Sequence, residues 1–324
     1  MAHRIFLTGS GIAPVAQAYL RDRGCTLVTG EPADSPDDLV RKLSGFDPHA
    51  LIVRQGKITD AVQAAAPSLA VICKHGVGTD NIDIAAATKR GIPVFYTPRA
   101  NFESAAEHTL ALMLSLVRRI PAHDRRIRSG VFDKKGYDGL ELLGKTLGLI
   151  GFGQIGRRVA ELVAPFRMQV RVYHPSKSGE SLPDYIKKVD SPEAVLAEAD
   201  IISLHCPLTE KTRNLINADT IARMKAGVHL INTARGGLID EAALEAALRD
   251  GRIRGAALDV FETEPPATDH PLFALENVIV TTHVAGVSDN SSINMGMDSA
   301  KNVLAVLEDG EIDRMSLKNP EVIS

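Results

Sequence analysis

Three polar residues in the last third of the chain have types that fit acid–base work on a carbonyl group. They are Arg235 in Asn232-Thr-Ala-Arg-Gly-Gly, Glu264 in Asp259-Val-Phe-Glu-Thr-Glu-Pro-Pro, and His283 in Thr281-Thr-His-Val-Ala-Gly. A guanidinium can clamp a carboxylate through two parallel hydrogen bonds and polarise a neighbouring oxygen. An imidazole can give or take a proton near neutral pH. A carboxylate beside an imidazole fixes its orientation and favours its charged form. Taken singly, each has a plain reading: a loop cation, a solvated carboxylate before two prolines, a strand-end histidine. Taken together they supply what the reduction of a 2-oxo acid by hydride requires.

Each of the three lies just beyond a predicted strand, at 229–232, 255–260 and 278–281. The carboxyl edge of an open parallel sheet is where such sheets bind ligands. The same edge should carry the stretch Lys145-Thr-Leu-Gly-Leu-Ile-Gly-Phe-Gly-Gln-Ile-Gly156. Its apolar run 147–150 reads as a buried strand, and Ile155, Val159, Leu162 and Val163 then fall on one helical face. In that setting Gly151 allows the tight turn, Gly153 lets a pyrophosphate approach the backbone, and Gly156 lets the helix lie close on the strand. A bare G-x-G-x-x-G also fits an ordinary glycine turn, but a strand before it and a helix after it select a dinucleotide site. The free N–H groups and positive end of that helix suit the phosphates.

The elements that hold these residues alternate regularly. Strands are expected at 5–8, 26–28, 50–53, 70–73 and 94–96. Helices are expected near 14–23, after a cap at Ser35, at 60–66 and from about Asn81 to Lys89. A long apolar helix spans 103–120 before Pro121, wedged between domains or subunits, and residues 121–144 read as polar and irregular. After the glycine stretch come strands at 169–173, 200–204, 229–232, 255–260 and 278–281, which with 147–150 make about six parallel strands. A helix over 288–308 then crosses back to the first domain. This alternation argues for parallel sheets covered on both faces. In the first half, Lys74-His-Gly-Val-Gly-Thr-Asp-Asn81 follows a strand and can present consecutive N–H groups to a carboxylate, or form a plain strand-to-helix turn. Arg54-Gln-Gly-Lys57 ends the preceding strand and is either a substrate contact or a surface loop.

A length of 324 residues suggests two domains. A formal net charge of −3 gives no electrostatic case for nucleic acid as a partner. Three cysteines, odd in number and far apart, fit a reduced cytoplasmic chain and no zinc site, and the ten histidines show no metal-ligand spacing. No early segment resembles a signal peptide, and no apolar run is long enough to span a membrane.

On these motifs, in this order along nearly the whole chain, the sequence resembles the D-isomer-specific 2-hydroxyacid dehydrogenases, in the branch with phosphoglycerate dehydrogenase and hydroxypyruvate reductase. The resemblance rests on His75-Gly-Val-Gly-Thr-Asp-Asn-Ile-Asp83, Gly151 to Gly156, His205-Cys-Pro-Leu, Asn232-Thr-Ala-Arg-Gly-Gly, Asp259-Val-Phe and His283. It implies two doubly wound parallel-sheet domains of α/β class. A Rossmann cofactor domain, 100–286, is inserted in a flavodoxin-like substrate domain, 1–99 with 287–324. It implies a catalytic set of Arg235, Glu264 and His283, with His283 the proton donor in reduction. It places Gly151, Gly153, Gln154, Ile155, Gly156, His174, Pro175, Ser176, Cys206, Pro207, Thr212, Thr233, Ala234, Asp259 and Gly286 at the cofactor. Arg54, His75, Gly76, Val77, Gly78 and Arg235 are expected at the substrate. It implies a phosphoglycerate-, hydroxypyruvate- or glyoxylate-like acid, no metal, and a homodimer joined through the cofactor domains.

Two departures stand out. The C-terminal regulatory domain of many phosphoglycerate dehydrogenases does not follow the last helix. His174 stands where NAD-specific relatives carry an acidic residue, and with Ser176 and Lys177 it leaves the choice between NAD and NADP open, tilted to NADP. Corepressors of the same fold, which sense a dinucleotide without turnover, are the alternative reading.

Overall fold

The computed structural model describes residues 2–175 and 182–323. It divides into two compact units, Met1–Phe102 with Gly286–Ser324, and Glu103–Ala285.

The smaller unit runs β1 (Arg4–Thr8), α1 (Pro14–Arg21), β2 (Thr26–Thr29), α2 (Pro36–Phe46), β3 (Ala50–Val53), α3 (Asp60–Ala64), β4 (Val71–Lys74), α4 (Ile84–Lys89) and β5 (Val94–Phe95). Its sheet is parallel throughout, in the order β2-β1-β3-β4-β5. The central strand β3, Ala-Leu-Ile-Val, is buried along its whole length, as a strand covered on both faces must be. Local signals set the helix starts. Ser35 and Asp38 form a reciprocal capping box on α2. Asp83 caps α4 by accepting from Ala86 N at 2.9 Å, so that helix begins at Ile84 and not at the expected Asn81. Residues 81–82 are engaged otherwise: Asn81 O accepts from Ile58 N at 2.8 Å, and Ile58 and Ile82 form a parallel bridge.

The larger unit is built from α5 (Phe102–Val117), α6 (Ile120–Arg128), β6 (Thr146–Ile150), α7 (Gln154–Val163), β7 (Gln169–Tyr173), β8 (Ile186–Lys188), α8 (Pro192–Glu198), β9 (Ile201–Leu204), α9 (Ala218–Arg223), β10 (Val228–Asn232), α10 (Glu241–Arg249), β11 (Ile253–Leu258) and β12 (Val278–Val280). Its parallel sheet has the order β12-β11-β10-β9-β6-β7-β8, which reverses direction between β6 and β9. One apolar layer gathers Val195, Leu196, Ile221, Leu244 and Leu248 from α8, α9 and α10 against the sheet. The other gathers Leu112, Met113, Leu116 and Val117 of α5 with Val159, Ala160 and Val163 of α7.

Two further features differ from the sequence expectation. The segment after Pro121 is helical, because proline is tolerated in a first turn and Arg119 enters it at φ 51°. No residue of α6 is buried, so it has no apolar periodicity to read; Asp124 and Arg128 pair one turn apart, and three arginines occupy its last turn. Among the described residues the sheet has seven strands against the expected six or so; the additional β8 is three residues long with only Ile186 buried, too short to show a pattern.

Finally α11 (Asp289–Leu307) starts at a Ser288 cap and returns to the smaller unit. It packs on α1 and β4, burying Ala300, Val303 and Leu304 with Ile5, Ala16 and Leu20. A Cβ at Gly296 would lie 3.0 Å from the Ala16 methyl, so these helices cross closely because both residues are small.

Candidate active site

The glycine turn sits at the reversal point of the larger sheet. Gly151 has φ 100°, and a Cβ there would lie 2.4 Å from the carbonyl carbon and oxygen of His205. Only glycine fits, on both counts. A Cβ at Gly156 would lie 2.4 Å from Gly151 O, which presses the first turn of α7 onto the loop. Gly153 is the opposite case: it is the N-cap of α7, and nothing lies within 4 Å of where its Cβ would be. The first turn of α7, with Gln154 and Ile155, has no side-chain cap and no acidic residue. A positive helix end faced by open space at a glycine is a cradle that fits a pyrophosphate.

Arg235 follows β10 and opens a 3₁₀ turn over Gly236–Leu238. Its backbone is fixed by Asn232, a fully buried amide that donates to Arg235 O at 2.8 Å and accepts from Ala234 N at 3.0 Å. Beneath it, a Cβ at Gly236 would lie 1.9 Å from the carbonyl carbon of Phe261, so the loop after β10 lies directly on the loop after β11. That second loop carries Glu264, whose Oε1 accepts from Phe261 N at 3.0 Å. Glu264 Oε2 lies 2.7 Å from His283 Nδ1. Burial alone would raise the Glu264 pKa, but the hydrogen bonds from His283 and Phe261 and the charges of His283 and Arg235 outweigh it and hold the carboxyl below its ordinary value. The pair is solvent-accessible, with side-chain exposures of 50% for His283 and 36% for Glu264, so exchange with a ligand is open.

His283 is held by an internal carboxylate. Its backbone sits at φ 55°, a left-handed conformation uncommon for a residue with a side chain. Its N–H donates to Asp259 O at 2.8 Å. The fully buried Asp259 side chain accepts from Thr281 Oγ1 at 2.5 Å, Val284 N at 2.9 Å and Ala285 N at 2.8 Å. His108 Nε2 on α5 reaches Thr281 Oγ1 at 3.2 Å. Asp259, expected at the cofactor, is therefore also the group that shapes the His283 loop. Asn232, Thr281, His108 and Gly236 had no assigned role in the sequence reading, although the residue pattern Asn232…Gly236-Gly237 marks a strand end that turns sharply.

Of the other residues expected at the cofactor, those that follow β7, β9 and β10 lie beyond the carboxyl ends of strands of the larger sheet. Cys206 follows β9; burial pushes its thiol up to about 11, so it is neutral and unreactive at neutral pH. Burial pushes the adjacent His205 down to about 4, and its Nε2 lies 2.9 Å from Ser203 Oγ. Thr212 donates to Pro207 O at 2.7 Å, closing the 207–212 loop. Thr233 Oγ1 meets Thr109 Oγ1 at 3.0 Å, with Ala234 next to it. His174 and Pro175 follow β7, half-buried and exposed respectively; Ser176 and Lys177 lie outside the described residues. Gly286 opens the returning segment, where a Cβ would lie 2.5 Å from Asn101 Nδ2.

At the carboxyl edge of the smaller sheet, His75 is buried, with 9% exposure, and among the described residues its Nε2 has no hydrogen-bond partner. Burial, then the Arg54 and Lys74 charges, push its pKa down to about 4. Gly76 adopts φ 135°, and its N–H is already taken by Lys74 O and Thr97 Oγ1, both at 3.0 Å. Of the three residues expected at the carboxylate, Gly76 thus has its amide engaged, while among the described residues nothing accepts from Val77 N or Gly78 N. Arg54 Nη1 donates to Ser10 Oγ at 2.7 Å and Gly11 O at 3.2 Å. Lys74 Nζ donates to Arg54 O and Asn81 Oδ1. Among the described residues no group of three His, Cys, Asp or Glu is placed to hold a metal, and no helix is long and apolar enough to cross a membrane.

A reversing parallel sheet with a glycine turn at the reversal, and an Arg, Glu and His at the ends of its neighbouring strands, defines a dinucleotide-binding α/β protein. A family model described as D-isomer specific 2-hydroxyacid dehydrogenase, NAD binding domain, matches residues 110–285, and the chain belongs to that family. It is 40% identical over 299 residues to a D-3-phosphoglycerate dehydrogenase of Archaeoglobus fulgidus, covering 92% of this chain and 56% of that protein. The chain thus spans little more than half the length of that relative. It is 40% identical over 283 residues to a hydroxypyruvate reductase of Thermotoga maritima, covering 86% of this chain and 90% of the relative. Among solved structures, a D-lactate dehydrogenase from Aquifex aeolicus complexed with NAD and lactic acid superposes with a TM-score of 0.82 at 32% identity, covering 94% of this chain and 96% of that one.

Proposed function

We propose that the chain interconverts a 2-oxo acid and its D-2-hydroxy acid with a nicotinamide dinucleotide. The observation that carries this reading is the His283–Glu264 pair at 2.7 Å, within the field of Arg235, on the sheet edge that holds the glycine cradle. In reduction, a 2-oxo acid, NAD(P)H and a proton give a 2-hydroxy acid and NAD(P)⁺. A dinucleotide held at the turn of Gly151, Gly153 and Gly156 would supply the hydride for the carbonyl carbon. Arg235 grips the substrate carboxylate and polarises the carbonyl, so negative charge growing on oxygen meets a fixed cation. With Nδ1 engaged by Glu264, the His283 ring delivers its proton from Nε2 to that oxygen, and Glu264 stabilises the charged ring before transfer. Within the smaller unit, the amides of Val77 and Gly78 support carboxylate binding by the loop after β4. Relatives that act on phosphoglycerate and hydroxypyruvate support a substrate with a polar group beyond C2.

His174 at the end of β7 supports weak discrimination against NADP, since no carboxylate at that position repels the extra phosphate. His174→Asp should move the ratio of kcat/KM for NADH over NADPH toward NADH by about tenfold to a hundredfold. A wild type that already favours NADH a thousandfold would show that another group supplies the repulsion. Exposed Ile120, Ile127, Phe132 and Leu143 crowd one stretch of the larger unit and support a homodimer through that unit, which sedimentation would test. Three free cysteines support a reducing, cytoplasmic setting. The deciding experiment is turnover of glyoxylate, hydroxypyruvate, phenylpyruvate and phosphohydroxypyruvate with both reduced cofactors. Dinucleotide binding without turnover of any would favour the corepressor-like alternative.

A further inference from the structure

A second histidine–glutamate pair lies behind the loop that carries Glu264. His270 Nε2 is 3.1 Å from Glu241 Oε2, and the side chains are only 15% and 19% exposed, against 50% and 36% for His283 and Glu264. Glu241 is the first residue of α10, behind the Asp240 cap, where the helix end favours a negative charge. Its other oxygen, Oε1, accepts from Glu262 N at 2.9 Å. His270 caps the 3₁₀ turn Pro271–Ala274, and its Nδ1 accepts from Leu272 N at 3.4 Å. Because Nδ1 accepts, Nε2 carries the hydrogen and is the donor to Glu241. The His270 ring also packs edge-on against Phe261, with centroids 5.6 Å apart, and Phe273 packs edge-on against the same Phe261 at 5.7 Å.

These contacts converge on residues 261–264. Phe261 is gripped from one side by the His270 and Phe273 rings and lies on the backbone of Gly236 on another. Glu262 N–H is tied to α10 through Glu241. Phe261 N–H, in turn, is the donor that orients Glu264 Oε1. Without these ties, Glu262, Thr263, Glu264 and Pro265 would be four successive exposed loop residues, and loops of that kind are mobile. An orienting carboxylate is useful only if it stays within hydrogen-bond reach of its imidazole.

We infer that His270 and Glu241 are positioning residues: they fix the loop after β11 so that Glu264 is held on His283, and they touch neither substrate nor dinucleotide. The inference rests on the proposed reaction for its kinetic meaning, and on geometry alone for its structural meaning. Glutamine at 270 can still donate to Glu241, whereas alanine cannot.

The test compares wild type, His270→Ala, His270→Gln and Glu241→Gln. Kinetics use hydroxypyruvate and NADH or NADPH, alongside thermal midpoints and the NMR signals of the His283 ring. Alanine at 270 should lower kcat about tenfold or more while the KM for the dinucleotide stays within about threefold. His270→Gln should recover kcat to within about threefold of wild type, because it restores the donor. Glu241→Gln, which keeps an acceptor for Glu262 N–H, should fall between the two. The His283 ring signals should move in His270→Ala and return in His270→Gln. Wild-type kcat and unmoved His283 signals in a folded His270→Ala protein would overturn the inference. So would a kcat loss that follows the thermal midpoint alone and is not rescued by glutamine. A wild type that turns over none of the 2-oxo acids would overturn the proposed reaction instead, and the ring signals would still decide the positioning.

Discussion

His283 and His75 each follow a strand at the carboxyl edge of a sheet, one in each unit, and their surroundings are opposite. His283 is half exposed, with a carboxylate 2.7 Å from its ring and a guanidinium acting on that carboxylate. His75 is buried, its Nε2 has no partner among the described residues, and burial together with the charges of Arg54 and Lys74 keeps it neutral down to about pH 4. The first setting suits a group that gains and loses a proton in each turnover; the second suits one that never changes charge at neutral pH. Residue type alone does not make a proton donor. The neighbouring carboxylate and the access to solvent do.

The contrast predicts a large asymmetry between substitutions. His283→Ala should lower kcat by about a hundredfold to ten-thousandfold, the usual worth of a positioned proton donor. Arg235→Ala should cost roughly a hundredfold or more in kcat/KM, because it leaves a substrate charge unpaired. His75→Gln keeps a neutral hydrogen-bonding side chain and should leave kcat within about tenfold of wild type. Steady-state kinetics at neutral pH check all three. A His283→Ala protein with more than half the wild-type kcat, or a His75→Gln protein as impaired as His283→Ala, would break the comparison.

The two edges were also unequally legible in the sequence. On the larger sheet, the spacing of Gly151, Gly153 and Gly156 marked a turn in which each meets a different neighbour: a carbonyl at 2.4 Å, open space among the described residues, and the turn's own oxygen. Arg235, Glu264 and His283 follow three adjacent strands because parallel crossovers return every strand to the same edge. Their supports were not legible. Asp259 and Glu241 accept from backbone N–H groups on other loops, Asn232 ties Ala234 N–H and the Arg235 carbonyl of its own loop, and no periodicity encodes such contacts. On the smaller sheet, the Gly76 amide looked available because its partner, Thr97 Oγ1, lies two elements later in the chain. The helix α6 was hidden for a different reason: with no buried face it has no apolar repeat, and Pro121 reads as a stop when it is in fact a first-turn residue.

Acid should destabilise both units through buried histidines, by a smaller amount than the catalytic losses. His75 in the smaller unit and His229 in the larger are each pushed down to about 4, chiefly by burial. A histidine whose folded pKa lies below its unfolded value near 6.5 stabilises the fold fully above that pH. The contribution fades as pH falls from 6.5 toward 4, where only the unfolded chain takes up the proton. Each should therefore cost about 1–2 kcal/mol between pH 7 and pH 5. Denaturant titrations at the two pH values should show the loss, and His75→Gln or His229→Gln should each remove part of it. If neither substitution flattens the pH dependence, the buried His205, also pushed down to about 4, or the carboxylates held below their ordinary pKa, such as Asp47 and Asp200, carry the acid sensitivity instead.

The smallest expected effect concerns the rim of the smaller sheet. Arg54 follows β3 and Lys74 ends β4, and the two strands are paired with Val53 opposite Lys74, so both cations share one rim. The Arg54 guanidinium is held by a hydroxyl and a carbonyl, Ser10 Oγ and Gly11 O. Neutral partners fix its position without cancelling its charge, which leaves it able to attract an anion. Under the proposed function, that charge should favour a 2-oxo acid with a phosphate or hydroxyl beyond C2 over glyoxylate, which is too short to use it. Arg54→Ala should lower kcat/KM about tenfold for phosphohydroxypyruvate, and about twofold or less for glyoxylate. Because the contact is partly exposed, the difference should shrink as salt is raised toward 1 M. Equal losses on both substrates, insensitive to salt, would mean that Arg54 only braces the Ser10–Gly11 loop, and the smaller edge would then recognise nothing past the carboxylate.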